Sequence, residues 1–323
     1  MSLSQLITWW NEFFFKPQSP LPMAVFRILY GVLLLTALTV QFGPDLDFWY
    51  GPRGIMPGDL ATAYFTRQPT FNIIAILGHN ANLIHIYFYT LVAAAFFLTI
   101  GLATRYSAFY CFFGLISLHN QNPFNINGGD NFLRLIPLYL ALSQCGELLS
   151  VDRFIKQRWF PSLIKDEYWP WAQRFLQIQV AIIYWQASVA KLAGTQWIDG
   201  TAVYYATRLQ DLAGLPIPYI FDNQFLCSWL TWGALIIEVS LWTLIWVKEL
   251  RYWVLLAGFL LHFGIDLSIN LPVFEWLFIC SYVCFIEPAD LQRVFDFVTM
   301  RVKKILKRPA PRAVHPVIAS DQP

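Results

Sequence analysis

The chain has 323 residues, 57% hydrophobic, 18% aromatic and only 13% charged, where an ordinary soluble domain is about 25% charged. With a mean hydropathy of +0.49 it reads as an integral membrane protein, and a formal charge of +2 gives no reason to invoke nucleic acid. Residues 1–21 open as MSLSQLITWWNEFFF, without a basic leader or a small-residue cleavage site. They read as an amphipathic interfacial segment rather than a signal peptide.

Eight apolar segments follow: Pro22–Phe42, Leu83–Thr104, Ser107–His119, Phe132–Ser143, Phe175–Leu192, Leu226–Val247, Tyr252–Ile269 and Leu271–Phe285. The third and fourth are short for a bilayer that needs about 20 helical residues. The last two are divided by a tight break at Asn270-Leu-Pro272. The expected fold is an all-α bundle of about eight transmembrane helices, or seven if one segment merges or drops. Of the 22 Lys and Arg, 16 fall on the side of the N-terminus and 3 in the opposite loops. That asymmetry predicts cytoplasmic termini and outward loops at 43–82, 120–131 and 193–225. Residues 22–288 form the membrane domain, and residues 289–323 a basic cytoplasmic tail that ends disordered. The protein is expected in the inner or plasma membrane if bacterial.

Three features can carry chemistry. Lys191 closes the fifth segment, where a membrane-centred lysine costs about 2.5–3.5 kcal/mol. It either snorkels to the interface or, desolvated, becomes a neutral amine and a base. A polar turn with Trp197 and Asp199 follows it. The second feature is the loop His119–Asp130, holding Asn120, Asn122, Asn125, Asn127 and a Gly-Gly pair. It reads as a pocket-lining re-entrant loop or as an ordinary outer turn. The topology puts His119 and Lys191 on the same outer side. The third is His262 and Asp266, four apart and so on one helical face, as a proton-transfer pair or a structural hydrogen bond. Glu238 is expected to pair with Arg27 or Arg134, and Glu275 to line the same cavity. The five cysteines show neither redox nor zinc spacing, so no disulfide is expected, and the histidines show no metal-ligand spacing.

Taken in order, several stretches resemble a known family: Phe26-Arg27 with Gly31, Asp47-Phe-Trp-Tyr50 with Gly54-Ile-Met-Pro57, Gly101 to Arg105, and Ser117-Leu-His119-Asn120 with Asn127-Gly-Gly-Asp130. Ser150-Val-Asp152, Ile183-Tyr184 through Lys191-Leu192, Trp197-Ile-Asp199-Gly200, Tyr204-Tyr205 and Leu261-His262 complete the set. This resembles the horizontally transferred transmembrane (HTTM) domain, the membrane part of vitamin K-dependent γ-glutamyl carboxylase and its bacterial relatives. The resemblance spans residues 22–290. It implies that Lys191 is the base toward reduced vitamin K or a related menaquinol-type quinol. The oxygenated quinol then removes a glutamate γ-proton, and the carbanion captures carbon dioxide. The resemblance makes His119 an assisting acid or base and His262 a further site residue. Asn120, Asn122, Asn127, Asp130, Trp197, Asp199, His262 and Asp266 are the expected binding residues, with O2 and CO2 as co-substrates and no metal. The animal enzyme carries a large C-terminal lumenal domain, whereas this chain ends shortly after its last span. Its motif also has two adjacent lysines where this chain has Ala190 before Lys191. Expected partners are therefore a membrane lipid and a peptide or small-molecule substrate. The rival expectation is a non-enzymatic lipid- or partner-binding protein that retains the fold.

Overall fold

The computed structural model describes residues 2–64, 70–77, 80–164, 168–209, 214–215, 218–269, 271 and 273–306. Arg67, His79, Lys165, Asn270 and Pro272 of the expected break, and the tail beyond residue 306 with His315, lie outside the described residues.

The first helix, α1 (Leu3–Phe15), starts at a capping box. The Gln5 backbone N–H donates to Ser2 Oγ, and the Ser2 N–H donates to Gln5 Oε1 at 2.9 Å. It buries Phe14 and leaves Leu3, Leu6, Ile7, Trp9 and Trp10 exposed. In α2 (Leu21–Thr36), Phe26, Tyr30 and Leu34 recur every four residues, and Leu38 extends the stripe into a π-helical stretch, Ala37–Phe42. All four are fully buried, which makes α2 a central wall of the core. Three short helices, α3 (Leu46–Tyr50), α4 (Gly58–Tyr64) and α5 (Ile73–Leu77), lead to α6 (Ala81–Ile100). Then come α7 (Thr104–Gln121), α8 (Gly128–Leu142), α9 (Val151–Trp159) and α10 (Trp171–Leu192). Short α11 (Thr195–Ile198), α12 (Ala202–Ala206) and α13 (Pro218–Phe221) precede α14 (Gln224–Thr243), α15 (Lys248–Ser268), α16 (Phe274–Ser281) and α17 (Pro288–Leu306). The expected tail therefore begins as a helix.

Among the described residues, four helical stretches are long and apolar enough to cross a membrane: Leu21–Phe42, Ala81–Ile100, Gln224–Trp246 and Lys248–Ser268. At 18 and 22 residues, α7 and α10 are comparable in length but less apolar. Their polar residues face inward: Ser107, Ser117, His119 and Gln121 of α7 are buried, as are Gln173, Gln177 and Ser188 of α10. The lower hydropathy of these two helices comes from a polar interior face. Among the long helices, α2 packs on α6, α7 on α6 and α8, α10 on α8 and α14, and α15 on α14 and α16. The approach of α2 to α6 depends on Gly31, since a Cβ there would lie 2.8 Å from Thr99 Cα.

One end of the bundle is fastened around Arg27, which is fully buried. Its Nη1 donates to the carbonyls of Leu98 (3.0 Å) and Thr99 (3.3 Å), and its Nη2 to that of Leu149 (2.5 Å). These carbonyls belong to the C-terminal end of α6 and to the turn before α9, and that of Leu98 also accepts from the Gly101 N–H at 3.2 Å. Gly101, at φ +72°, ends α6, and a Cβ there would collide with the guanidinium and with Ser150. Asp152 accepts from the N–H groups of Ala103 and Thr104, each at 2.8 Å, and from Thr104 Oγ1 at 2.7 Å. The Phe26-Arg27, Gly101–Arg105 and Ser150–Asp152 patterns thus meet in one structural knot.

Candidate functional site

Lys191 sits in the last turn of α10, at the end of the bundle away from Arg27. Its Nζ forms an ion pair with Glu238 Oε1 of α14, with the two side chains 23% and 10% exposed. It also lies 5.1 Å from the Trp197 ring centroid. Side chains on a helix lean toward its N-terminus. Because α10 and α14 run antiparallel through the 193–223 connection, Lys191 leans back into the bundle and Glu238 leans out to meet it. Lys191 therefore does not snorkel. The expected partners of Glu238 are occupied elsewhere: Arg27 binds carbonyls, and Arg134 Nη2 donates to Asn131 Oδ1 at 2.6 Å. Among the described residues, Lys191 is the cation that pairs with Glu238.

Below this pair runs a buried chain of four side chains. His262 Nδ1 meets Glu275 Oε2, and His262 Nε2 lies 2.5 Å from Tyr184 Oη. Tyr184 Oη lies 2.7 Å from Tyr282 Oη. With Glu275 ionised as acceptor, Nδ1 carries the ring proton, Tyr184 donates to Nε2, and Tyr282 donates to Tyr184. The imidazole stacks on Phe278 at 5.2 Å and 7°, which fixes its plane. The expected pairing of His262 with Asp266 is not formed. Both ring nitrogens are already engaged, and Asp266, a turn along α15, is half-buried. The turn between α15 and α16 brings in Glu275 instead, through Val273 at φ +67°, a strained conformation for a β-branched residue.

His119 ends α7 with 1% exposure, and neither ring nitrogen has a hydrogen-bond partner. Phe42 lies beside it at 6.2 Å between centroids. Asn122, 2% exposed, accepts from Phe124 N–H at 3.2 Å while its Nδ2 is unpartnered. The loop above is strapped down: Ser117 Oγ accepts from the N–H groups of Ile73 (2.7 Å) and Ile74 (3.2 Å), and Asn120 donates to Phe71 O at 3.0 Å. Gln121 donates to Met56 O at 2.6 Å. Asn127 and Asp130 form a capping box that starts α8, and Gly129 packs so tightly on Phe274 that a Cβ there would clash with its ring. Asp199 is exposed at the end of α11.

Lys191, Trp197 and Glu238 thus form one group, and His262, Glu275, Tyr184 and Tyr282 a second, both anchored on the same face of α10. Seven residues separate Tyr184 from Lys191, about 10.5 Å along the axis. His119 and Asn122 form a third group across α8, which packs on both α7 and α10. Among the described residues, no side-chain hydrogen bond or ion pair joins His119 to Lys191 or Asp266 to His262. The sequence singles out Tyr184, Glu238 and Glu275, but with other partners or none, and does not single out Tyr282 at all. The seven-residue spacings Tyr184–Lys191 and Glu275–Tyr282, each one helical face, were the available signal.

Among the described residues, no group of three or more His, Cys, Asp or Glu gathers where a metal could be held. All five cysteines are buried with free thiols. Burial pushes the thiol of Cys145, in the loop between α8 and α9, up to about 11.

The HTTM domain family matches residues 15–289. The Bacillus subtilis protein YitO is 24% identical over 131 residues, 38% of this chain and 41% of YitO, so the match spans under half of that relative. The sporulation-delaying protein SdpB of Bacillus subtilis is 23% identical over 305 residues, 88% of this chain and 89% of SdpB. No solved structure matches.

Proposed function

The chain belongs to the HTTM domain family, and from that premise we propose a vitamin K-dependent γ-carboxylase-like protein that binds a quinol-type lipid. It crosses the inner or plasma membrane about eight times, with both termini cytoplasmic. The lipid is held in the half of the bundle that contains Lys191, for an oxygen-dependent proton abstraction or carboxylation at the outer face. The observation that carries this reading is the inward-facing Lys191–Glu238 pair above the buried Glu275–His262–Tyr184–Tyr282 chain. Ionisable groups kept inside membrane-length helices are expensive and mark functional paths.

The residues present fit a quinol. Glu238 Oε2 and Glu275 Oε1 are buried without partners and suit a phenolic O–H. When bound, the quinol supplies the electrons for oxygen. The chain's own groups manage protons. Transfer of the Lys191 proton to Glu238 leaves a neutral amine, a base that Arg cannot become. His262 links Tyr184 to Glu275, so a proton taken near Tyr282 can be held at that carboxylate. His119, buried with both ring nitrogens unpartnered, is placed to donate to or accept from a bound group.

The competing reading is a lipid- or partner-binding protein without chemistry, in which the Lys191–Glu238 pair is only a fastening. Quinol oxidation in membranes separates the two when wild type is compared with Lys191→Arg. Arg keeps a charge for Glu238 but supplies no neutral base. Turnover is expected to fall about 100-fold, the scale of a lost acid–base group. Unchanged turnover removes Lys191 from the chemistry.

A further inference from the structure

A cavity lies at the Arg27 end of the bundle, between α1 and the near ends of α10 and α15. Its volume is about 770 Å³, within the usual range for ligand pockets of about 300–1,000 Å³. Four cations line it, Lys16, Arg174, Lys248 and Arg251, against two carboxylates, Glu12 and Glu287. Arg251 is paired with Glu287 (2.5 Å), and Arg174 donates to Phe13 O (3.1 Å) and to Gln177 Oε1 (2.9 Å). Lys16 and Lys248 are exposed and have no ion-pair partner among the described residues. The lining thus carries a net excess of two positive charges.

The walls are aromatic. Phe13 stacks on Trp9 (5.5 Å), lies 6.0 Å from Trp246, and carries the Arg174 guanidinium over its ring at 4.9 Å. Phe14 packs on Phe175 at 5.3 Å, which anchors α1 to α10 while the outer apolar face of α1 remains exposed. A helix of this kind lies in the membrane interface with its apolar face in the acyl region. The cavity beneath it then opens at headgroup level, where tryptophans and cationic side chains are at home. Cations, aromatic walls and an interfacial mouth together specify a phosphate diester joined to acyl chains.

We propose that this cavity is a binding site for the headgroup of an anionic phospholipid, with Lys16 and Lys248 as its free cations and α1 as its clamp. The site is separate from the Lys191 half of the bundle. It tests independently of the reaction proposed there.

The full-length protein, purified in detergent, is to be titrated with short-chain phosphatidylglycerol, with phosphatidylcholine and with inorganic phosphate, binding being read by native mass spectrometry and by tryptophan fluorescence. Wild type is expected to prefer phosphatidylglycerol to phosphatidylcholine about tenfold or more, the scale of two cations at an anionic surface. Lys16→Gln with Lys248→Gln is expected to abolish that preference. Both side chains are exposed, so the fold is retained, and an unchanged melting temperature checks this. A control variant, Lys303→Gln on the exposed surface of α17, is expected to leave the preference intact. Three results would each overturn the site: equal binding of the two lipids by wild type, a preference that survives the double variant, or an equal loss in the Lys303 control. Inorganic phosphate that displaces phosphatidylglycerol at comparable concentration would overturn the lipid as occupant.

Discussion

The two ends of the bundle hold their motif residues differently, although both bury polar atoms without partners: Arg27 Nε, Gln144 Oε1, Glu147 Oε2 and Arg153 Nε and Nη1 lie at one end. At one end, Arg27 commits both terminal nitrogens to carbonyls of Leu98, Thr99 and Leu149, and Asp152 gathers three donors from the α6–α7 turn. At the other, His119 is as deeply buried yet bonds through neither nitrogen, and Glu238 and Glu275 each leave an oxygen without a partner. Burying polar atoms without partners costs about 1–3 kcal/mol each. At the Arg27 end, the bonds made by Arg27 and Asp152 give those two motif residues a folding role. At the Lys191 end, His119 makes no such bond through either ring nitrogen, and this difference motivates a ligand there.

Substitutions sharpen the contrast in order of expected size. Arg27→Met removes three hydrogen bonds to main-chain carbonyls and is expected to destabilise the protein by about 3–5 kcal/mol, read as a loss of melting temperature in detergent. Glu275→Gln keeps an acceptor for His262 but cannot hold the proton. Quinol turnover is expected to fall by about 10-fold or more with little change in melting temperature. Asn127→Ala removes the cap of α8 and is expected to cost about 1 kcal/mol, measured the same way. The smallest effect on stability belongs to His119→Leu, expected within about 1 kcal/mol of zero, because no protein partner is left behind. A large loss there would place His119 among the structural groups and erase the contrast.

Much of the framework was legible in the sequence. The apolar stretches around Leu21–Phe42, Ala81–Ile100, Gln224–Trp246 and Lys248–Ser268 announced themselves by hydropathy, whereas α7 and α10 carry more polar residues and stand out less. Pairings were harder to read. Glu238 lies 47 residues from Lys191, and their meeting depends on the opposed lean of side chains on antiparallel helices. His262 has a carboxylate one turn along its own helix, yet the turn at Val273 delivers Glu275 to Nδ1. Local spacing can nominate Asp266, but only tertiary packing selects Glu275. The Asn-rich loop was read as one feature and divides in two, with Asn127 and Asp130 capping α8 while His119 and Asn122 face inward.

The most direct measurement is the lipid that travels with the protein. Mass spectrometry of lipids co-purified with wild type is to be compared with the double variant His119→Leu, Glu275→Gln. A quinone-type lipid enriched in wild type and depleted at least tenfold in the variant is the result expected. The same lipids in both, with no quinone in either, would contradict a quinol site in the Lys191 half of the bundle.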